Sequence, residues 1–181
     1  MSNAELPTLV DAYRIFEQDC QREGQLPLSR FTRLTPMLSA DQGEMRAVLR
    51  FAFDSEKRRV LRGEVSAAVQ VQCQRCLESM ALTLESRFLV AVVSSDELAR
   101  ELPSEFEPVI VTDTELDLQS LLEDELIMAL PEFPLHPQPS CPAAEVVARI
   151  NADADKAVAD ESQKRDNPFS VLADIKGKLD R

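Results

Sequence analysis

Apolar and polar residues alternate with a period of two through the middle of the chain. Val65, Ala67, Val69, Val71 and Cys73 interleave with Glu64, Ser66, Ala68, Gln70 and Gln72. Leu82, Leu84, Phe88, Val90 and Val92 interleave with Thr83, Glu85 and Arg87, and Ser86 is a weak point in the inward row. Successive side chains of a strand point to opposite faces, so this pattern predicts two half-buried strands. The polar stretch between them predicts a β-hairpin with Cys73-Gln74-Arg75-Cys76 at or near its turn. Met45, Ala47, Leu49, Phe51 and Phe53 repeat the pattern upstream. Asp54 to Lys57 reads as the turn into the strand from about Val60. Three long antiparallel strands follow, each about ten residues or roughly 33 Å if straight, so curling is expected.

The flanks read differently. Leu9, Tyr13, Phe16 and Cys20 fit one helical face, with Thr8 and Asp11 as a loose capping box and Gly24 at the end. Cys20 then belongs to the core rather than to a ligand set. Ser29 to Leu34 predicts a short helix stopping before Pro36. Ser95 to Glu101 predicts another, and Val109 to Val111 a short strand. Asp117 caps a helix from Leu118 to Leu130 with Leu118, Leu121, Leu122, Leu126 and Ala129 as its apolar stripe. Glu123, Asp124 and Glu125 are expected on its solvated face, since carboxylates are rarely buried. Residues 131–142 hold five prolines in twelve positions and cannot be regular helix or inner strand. Residues 143–166 predict a marginal helix or mobile tether, and Asn167-Pro168 starts a last short helix anchored by Phe169, Leu172 and Ile175. The expected architecture is α+β: an antiparallel β-meander, curled and covered by helices, in a single domain over 1–142. An acidic, partly mobile segment follows over 143–181.

Composition narrows the function. The net charge is −12 over 181 residues, with 18 acidic and 5 basic side chains in 88–166 against 8 basic and 4 acidic in 30–62. Phosphate binding needs positive charge on the contact face, so bulk affinity for nucleic acid is not expected. Arg46, Arg50, Lys57, Arg58, Arg59 and Arg62 form a local patch that is either an RNA contact or ordinary solvated turn and edge residues. The acidic half suits a basic protein partner. No apolar run reaches the ~18 residues needed to span a bilayer, and no secretory signal is visible, which points to the cytoplasm. Four glycines and one histidine leave no phosphate-cradling loop and no base beside a nucleophile, so no enzyme and no small-molecule substrate are expected.

Three readings of the thiols stay open. Cys73 and Cys76 with His136 and Cys141 make a four-ligand set for zinc, because a C-x-x-C turn directs two thiolates at one tetrahedral ion. Proline stiffness would lower the cost of ordering the second pair. A thiol–disulfide pair is weaker, since such pairs sit at helix N-termini and the flanks here are strand. The third reading is two cysteines that only pack the hairpin end.

Three segments resemble the YceD family of large ribosomal RNA subunit accumulation proteins. They are Cys73 to Cys76 after an alternating strand, Glu115-Leu116-Asp117-Leu118 through Leu130-Pro131, and Asn167-Pro168-Phe169-Ser170-Val171-Leu172-Ala173. The resemblance covers most of the chain in order and spacing. It implies a ribosome-biogenesis factor supporting synthesis, processing or stability of the large-subunit (23S) ribosomal RNA, and it supplies no catalytic residues. Relatives resembling this pattern carry two cysteines where this chain has His136 and Cys141, which implies metal. The implied partners are that RNA or a basic ribosome-assembly protein. Phe169 and Leu172, read from the residues themselves, are expected to anchor the tail on the body or, as docking residues, on another protein. The competing classes are a zinc-stabilised protein–protein adaptor without RNA contact and an RNA-processing hydrolase using Glu123, Asp124 and Glu125.

Overall fold

A computed structural model describes residues 5–137 and 140–162. The chain divides into two compact units, Met1–Leu135 and His136–Arg181.

The first unit is α+β with few helices and a mixed, mostly antiparallel sheet. The elements run β1 Leu9–Asp11, α1 Arg14–Glu17, β2 Cys20–Pro27, β3 Glu44–Phe53, β4 Arg59–Gln72, β5 Ser79–Val93, α2 Asp96–Arg100, β6 Glu107–Ile110, β7 Glu115–Asp117 and α3 Leu118–Ala129. The main sheet has the order β2-β3-β4-β5-β6, and β1 pairs β7 separately. Neighbours from β2 to β5 are antiparallel, whereas β6 lies parallel to β5. The period-two stretches are the three central strands, with Met45, Ala47, Leu49, Phe51, Leu61, Val65, Ala67, Val69, Val71, Leu84 and Val90 buried. β4 and β5 are longer than ten residues, at 14 and 15. The turn between β3 and β4 is closed by Asp54 Oδ1, which accepts the N–H groups of Glu56 and Arg58 at 2.9 Å.

One glycine is fixed by packing. Gly63 pairs with Phe88 across β4 and β5. A Cβ there would meet the Phe88 ring at 2.0–2.5 Å, so the ring occupies the space a side chain would need.

Three expectations are corrected. No helix spans residues 8–24. The segment is β1, the single turn of α1, and β2, whose residues pair with β3 from Cys20 opposite Phe51 to Pro27 opposite Glu44. Cys20 is partly buried against the core, but on a strand. Residues 29–34 are not one helix. Two 3₁₀ turns, Leu28–Arg30 and Thr35–Met37, flank the buried Phe31 and Leu34, and Pro36 lies inside the second. Third, Glu123 and Glu125 are not on a solvated face; each is 4% exposed. The helix bearing them was expected, and Asp117 caps it by accepting the Ser120 N–H at 2.9 Å. It packs on β5 and β4 through Leu118, Leu122 and Leu126.

In the second unit, α4 runs Ala144–Ser162 and is the helical form of the segment expected as helix or tether. Its Val146, Ile150 and Val158 are exposed. Phe169, Leu172 and Ile175 lie outside the described residues. Among the described residues no helix is long and apolar enough to cross a membrane.

Candidate metal centre

β4 ends at Gln72, and Cys73 begins a tight turn back to β5. The Cys73 N–H donates to the Glu78 carbonyl at 2.9 Å, and the Leu77 N–H donates to the Cys73 carbonyl at 2.8 Å. Closing so short a loop puts Leu77 in the left-handed region, at φ 64°. The Arg75 N–H points at Cys73 Sγ, 3.5 Å away. Gln74 N–H donates to the Pro134 carbonyl at 2.9 Å, which holds Pro134 beside the turn. His136 follows two residues later.

The sulfur atoms of Cys73, Cys76 and Cys141 and a ring nitrogen of His136 all lie within 4.8 Å of one another. The ligand atoms of a tetrahedral zinc site with ~2.3 Å bonds to sulfur are about 3.8 Å apart, so the cluster is near that size. Cys73 and Cys141 are buried, Cys76 and His136 partly so. No cysteine is in a disulfide. These four residues are of the types that hold zinc, and as three thiolates and one imidazole they would leave no open position on it. The cluster can bind a metal ion.

The basic residues are spread over several surfaces. Arg46, Arg50 and Arg62 sit at exposed positions on β3 and β4, and Arg50 Nη2 pairs with Asp19 at 2.7 Å. Lys57 is exposed at the turn. Arg58 is held by Asp54 at 2.6 Å and Glu56 at 3.0 Å and lies over the Phe106 ring. Arg59 lies over Tyr13, 4.6 Å from the ring centroid. Glu23, Glu64 and Glu85 share the outer trough of the sheet, about 410 Å³, with Arg46 and Arg87.

The carboxylates of α3 are engaged within the fold. Glu123 Oε1 accepts the N–H groups of Arg33 and Leu34 at 2.6 and 3.0 Å, and Oε2 accepts Arg33 Nε at 3.0 Å. Asp124 takes the Arg33 Nη1 at 2.5 Å. Ser86 donates to Glu125 Oε2 at 2.6 Å. Burial pushes the Glu125 carboxyl up, and the nearby Glu107 and Asp124 add to this against the Ser86 hydroxyl. The sequence carried a signal for this pair. Ser86 interrupts an apolar row, and Glu125 is seven residues from Leu118 and three from Leu122, on the buried face.

The class is thus an α+β protein whose concentration of metal-ligating side chains, among the described residues, is a thiol–imidazole cluster at a hairpin turn. Residues 61–176 match the sequence model of the family described as large ribosomal RNA subunit accumulation protein YceD, and the chain belongs to that family. The large ribosomal RNA subunit accumulation protein YceD of Haemophilus influenzae (strain ATCC 51907 / DSM 11121 / KW20 / Rd) is 32% identical over 179 residues, covering 98% of this chain and 100% of its own. No solved structure matches the chain.

Proposed function

We propose that this protein is a cytoplasmic, non-catalytic ribosome-biogenesis factor supporting synthesis, processing or stability of the large-subunit (23S) ribosomal RNA. The observation that carries this reading is the full-length likeness to the Haemophilus influenzae protein, whose name states that role. The acidic half would engage a basic assembly protein. RNA contact would fall to the basic patch of Arg46, Arg50, Lys57, Arg58, Arg59 and Arg62. Residues 143–181 would act as an acidic tether, with Phe169 and Leu172 docking its end. Cells depleted of the protein are expected to show a lowered ratio of large- to small-subunit ribosomal RNA; an unchanged ratio overturns the reading.

Zinc in the Cys73, Cys76, His136, Cys141 cluster completes the proposal. Bound there, it would act structurally, tying the hairpin turn to the strip after Pro134. Three thiolates and Zn²⁺ carry one net negative charge. Arg75, within the turn, has a buried Nη1 with no hydrogen-bond partner, and its charge supports such a site. A second reading, a zinc-stabilised adaptor that touches no RNA, is favoured by the internal engagement of Arg50, Arg58 and Arg59. Crosslinking in cells separates the two, since the adaptor recovers protein and no RNA.

A further inference from the structure

We propose that the open edge of β5 between Glu85 and Leu89 receives an extended, lysine- or arginine-bearing segment of a partner protein as an added strand. β4 pairs with β5 from Ser79 to Val92, but β6 pairs with it only from Val90 to Val93. Ahead of Val90 no described strand covers that edge. Alternate residues there turn N–H and C=O groups away from β4, which is a template for a further strand.

The outer edges of β6 and of the C-terminal end of β2 are blunted. β6 is four residues long and contains Pro108. β2 is bridged at Gln25 by Glu5 and ends at Pro27. The stretch from Glu85 to Leu89 has neither a bridge nor a proline.

The charge around this edge selects the occupant. A cleft of about 590 Å³ lies along residues 85–89, lined by Glu85, Glu105, Glu107 and Glu125 and a single basic side chain, Arg87. Arg87 is itself paired with Glu64 at 3.3 Å. The three exposed carboxylates, Glu85, Glu105 and Glu107, repel a phosphate backbone and attract ammonium or guanidinium groups. Met128, exposed on α3, lines the same cleft and offers apolar surface to the aliphatic stem of a lysine or arginine. Strand pairing supplies affinity and the glutamates supply preference for a basic chain. This inference rests on the basic-partner reading above and gives that partner a place to bind.

The test uses the full chain and a short fluorescent peptide of alternating lysine and threonine, read by anisotropy. Binding is expected, with affinity reduced about tenfold or more by the double variant Glu85→Lys, Glu107→Lys, whose two side chains are exposed and whose fold is checked by circular dichroism. The same peptide methylated on alternate backbone nitrogens is expected not to bind, and hydrogen exchange at residues 85–89 is expected to slow with the unmodified peptide. Equal binding of the methylated peptide overturns strand addition. Indifference to the double variant, or binding of a single-stranded RNA oligonucleotide in place of the peptide, overturns the assignment of partner. A normal ribosomal RNA ratio in depleted cells with intact peptide binding defeats the biogenesis reading alone; a lowered ratio without peptide binding defeats this inference alone.

Discussion

Replacing Glu123 by alanine removes the acceptor for two main-chain N–H groups at once. The carboxylate sits on α3 and reaches the connection between the two 3₁₀ turns, accepting from Arg33 at 2.6 Å and Leu34 at 3.0 Å. Leu34 is wholly buried, so water cannot take the place of the lost oxygen at its N–H without opening the core. An orphaned buried donor costs about 1–3 kcal/mol, and the Arg33 donor is nearer to solvent. The pair together then costs about 2–4 kcal/mol, a large share of the ~5–15 kcal/mol that holds a domain folded. The Arg33 side chain is left out of this figure because it is half exposed and regains water. Glu123→Gln can keep the single oxygen that accepts both main-chain N–H groups and is expected to lose much less. Asp124→Ala, whose carboxylate is 53% exposed, is expected to shift the midpoint far less. Urea unfolding with an unchanged slope reads all three. A Glu123→Ala variant within about 0.5 kcal/mol of the parent, or an Asp124→Ala variant more damaged than it, would refute the reasoning. The same result bears on the hydrolase alternative: loss of RNA cleavage on replacing Glu123 and Glu125 would report unfolding before it reported chemistry.

Gly63→Ala forces the Phe88 ring from its seat and is expected to cost about 1–3 kcal/mol by overpacking, with partial recovery in the double variant Gly63→Ala, Phe88→Leu; thermal melts that are unchanged in the single variant sink this expectation. Glu125→Gln tests the raised carboxyl. A raised folded-state pKa means the stability this group contributes is fully present below its unfolded pKa and is lost as pH rises through the folded one, so the neutral glutamine should stabilise near neutral pH and lose that advantage in acid. A glutamine variant that is less stable than the parent at neutral pH contradicts the sign.

What could be read from the residues was set by range. The three central strands were legible because burial on one face imposes period two within each strand. The N-terminal segment is mostly strand despite the helical spacing of Leu9, Tyr13 and Phe16, because the pairings that decide its conformation lie far away. Val10 pairs with Leu116, and Cys20 with Phe51. The burial of Glu123 has no local signal, because its donors are about 90 residues distant and carboxylates are exposed by default. The thiol–imidazole cluster was legible in part. Cys73 and Cys76 flank a turn that local alternation fixes. The hydrogen bond from Gln74 to Pro134, which holds Pro134 against the turn, has no local pattern.

The metal content of the purified full chain is the most direct measurement. Native mass spectrometry should find a mass increment of about one zinc per chain, retained through dialysis and lost from Cys76→Ser and Cys141→Ser. A parent protein that carries no metal after purification and takes up none when zinc is supplied under reducing conditions would contradict the proposed centre.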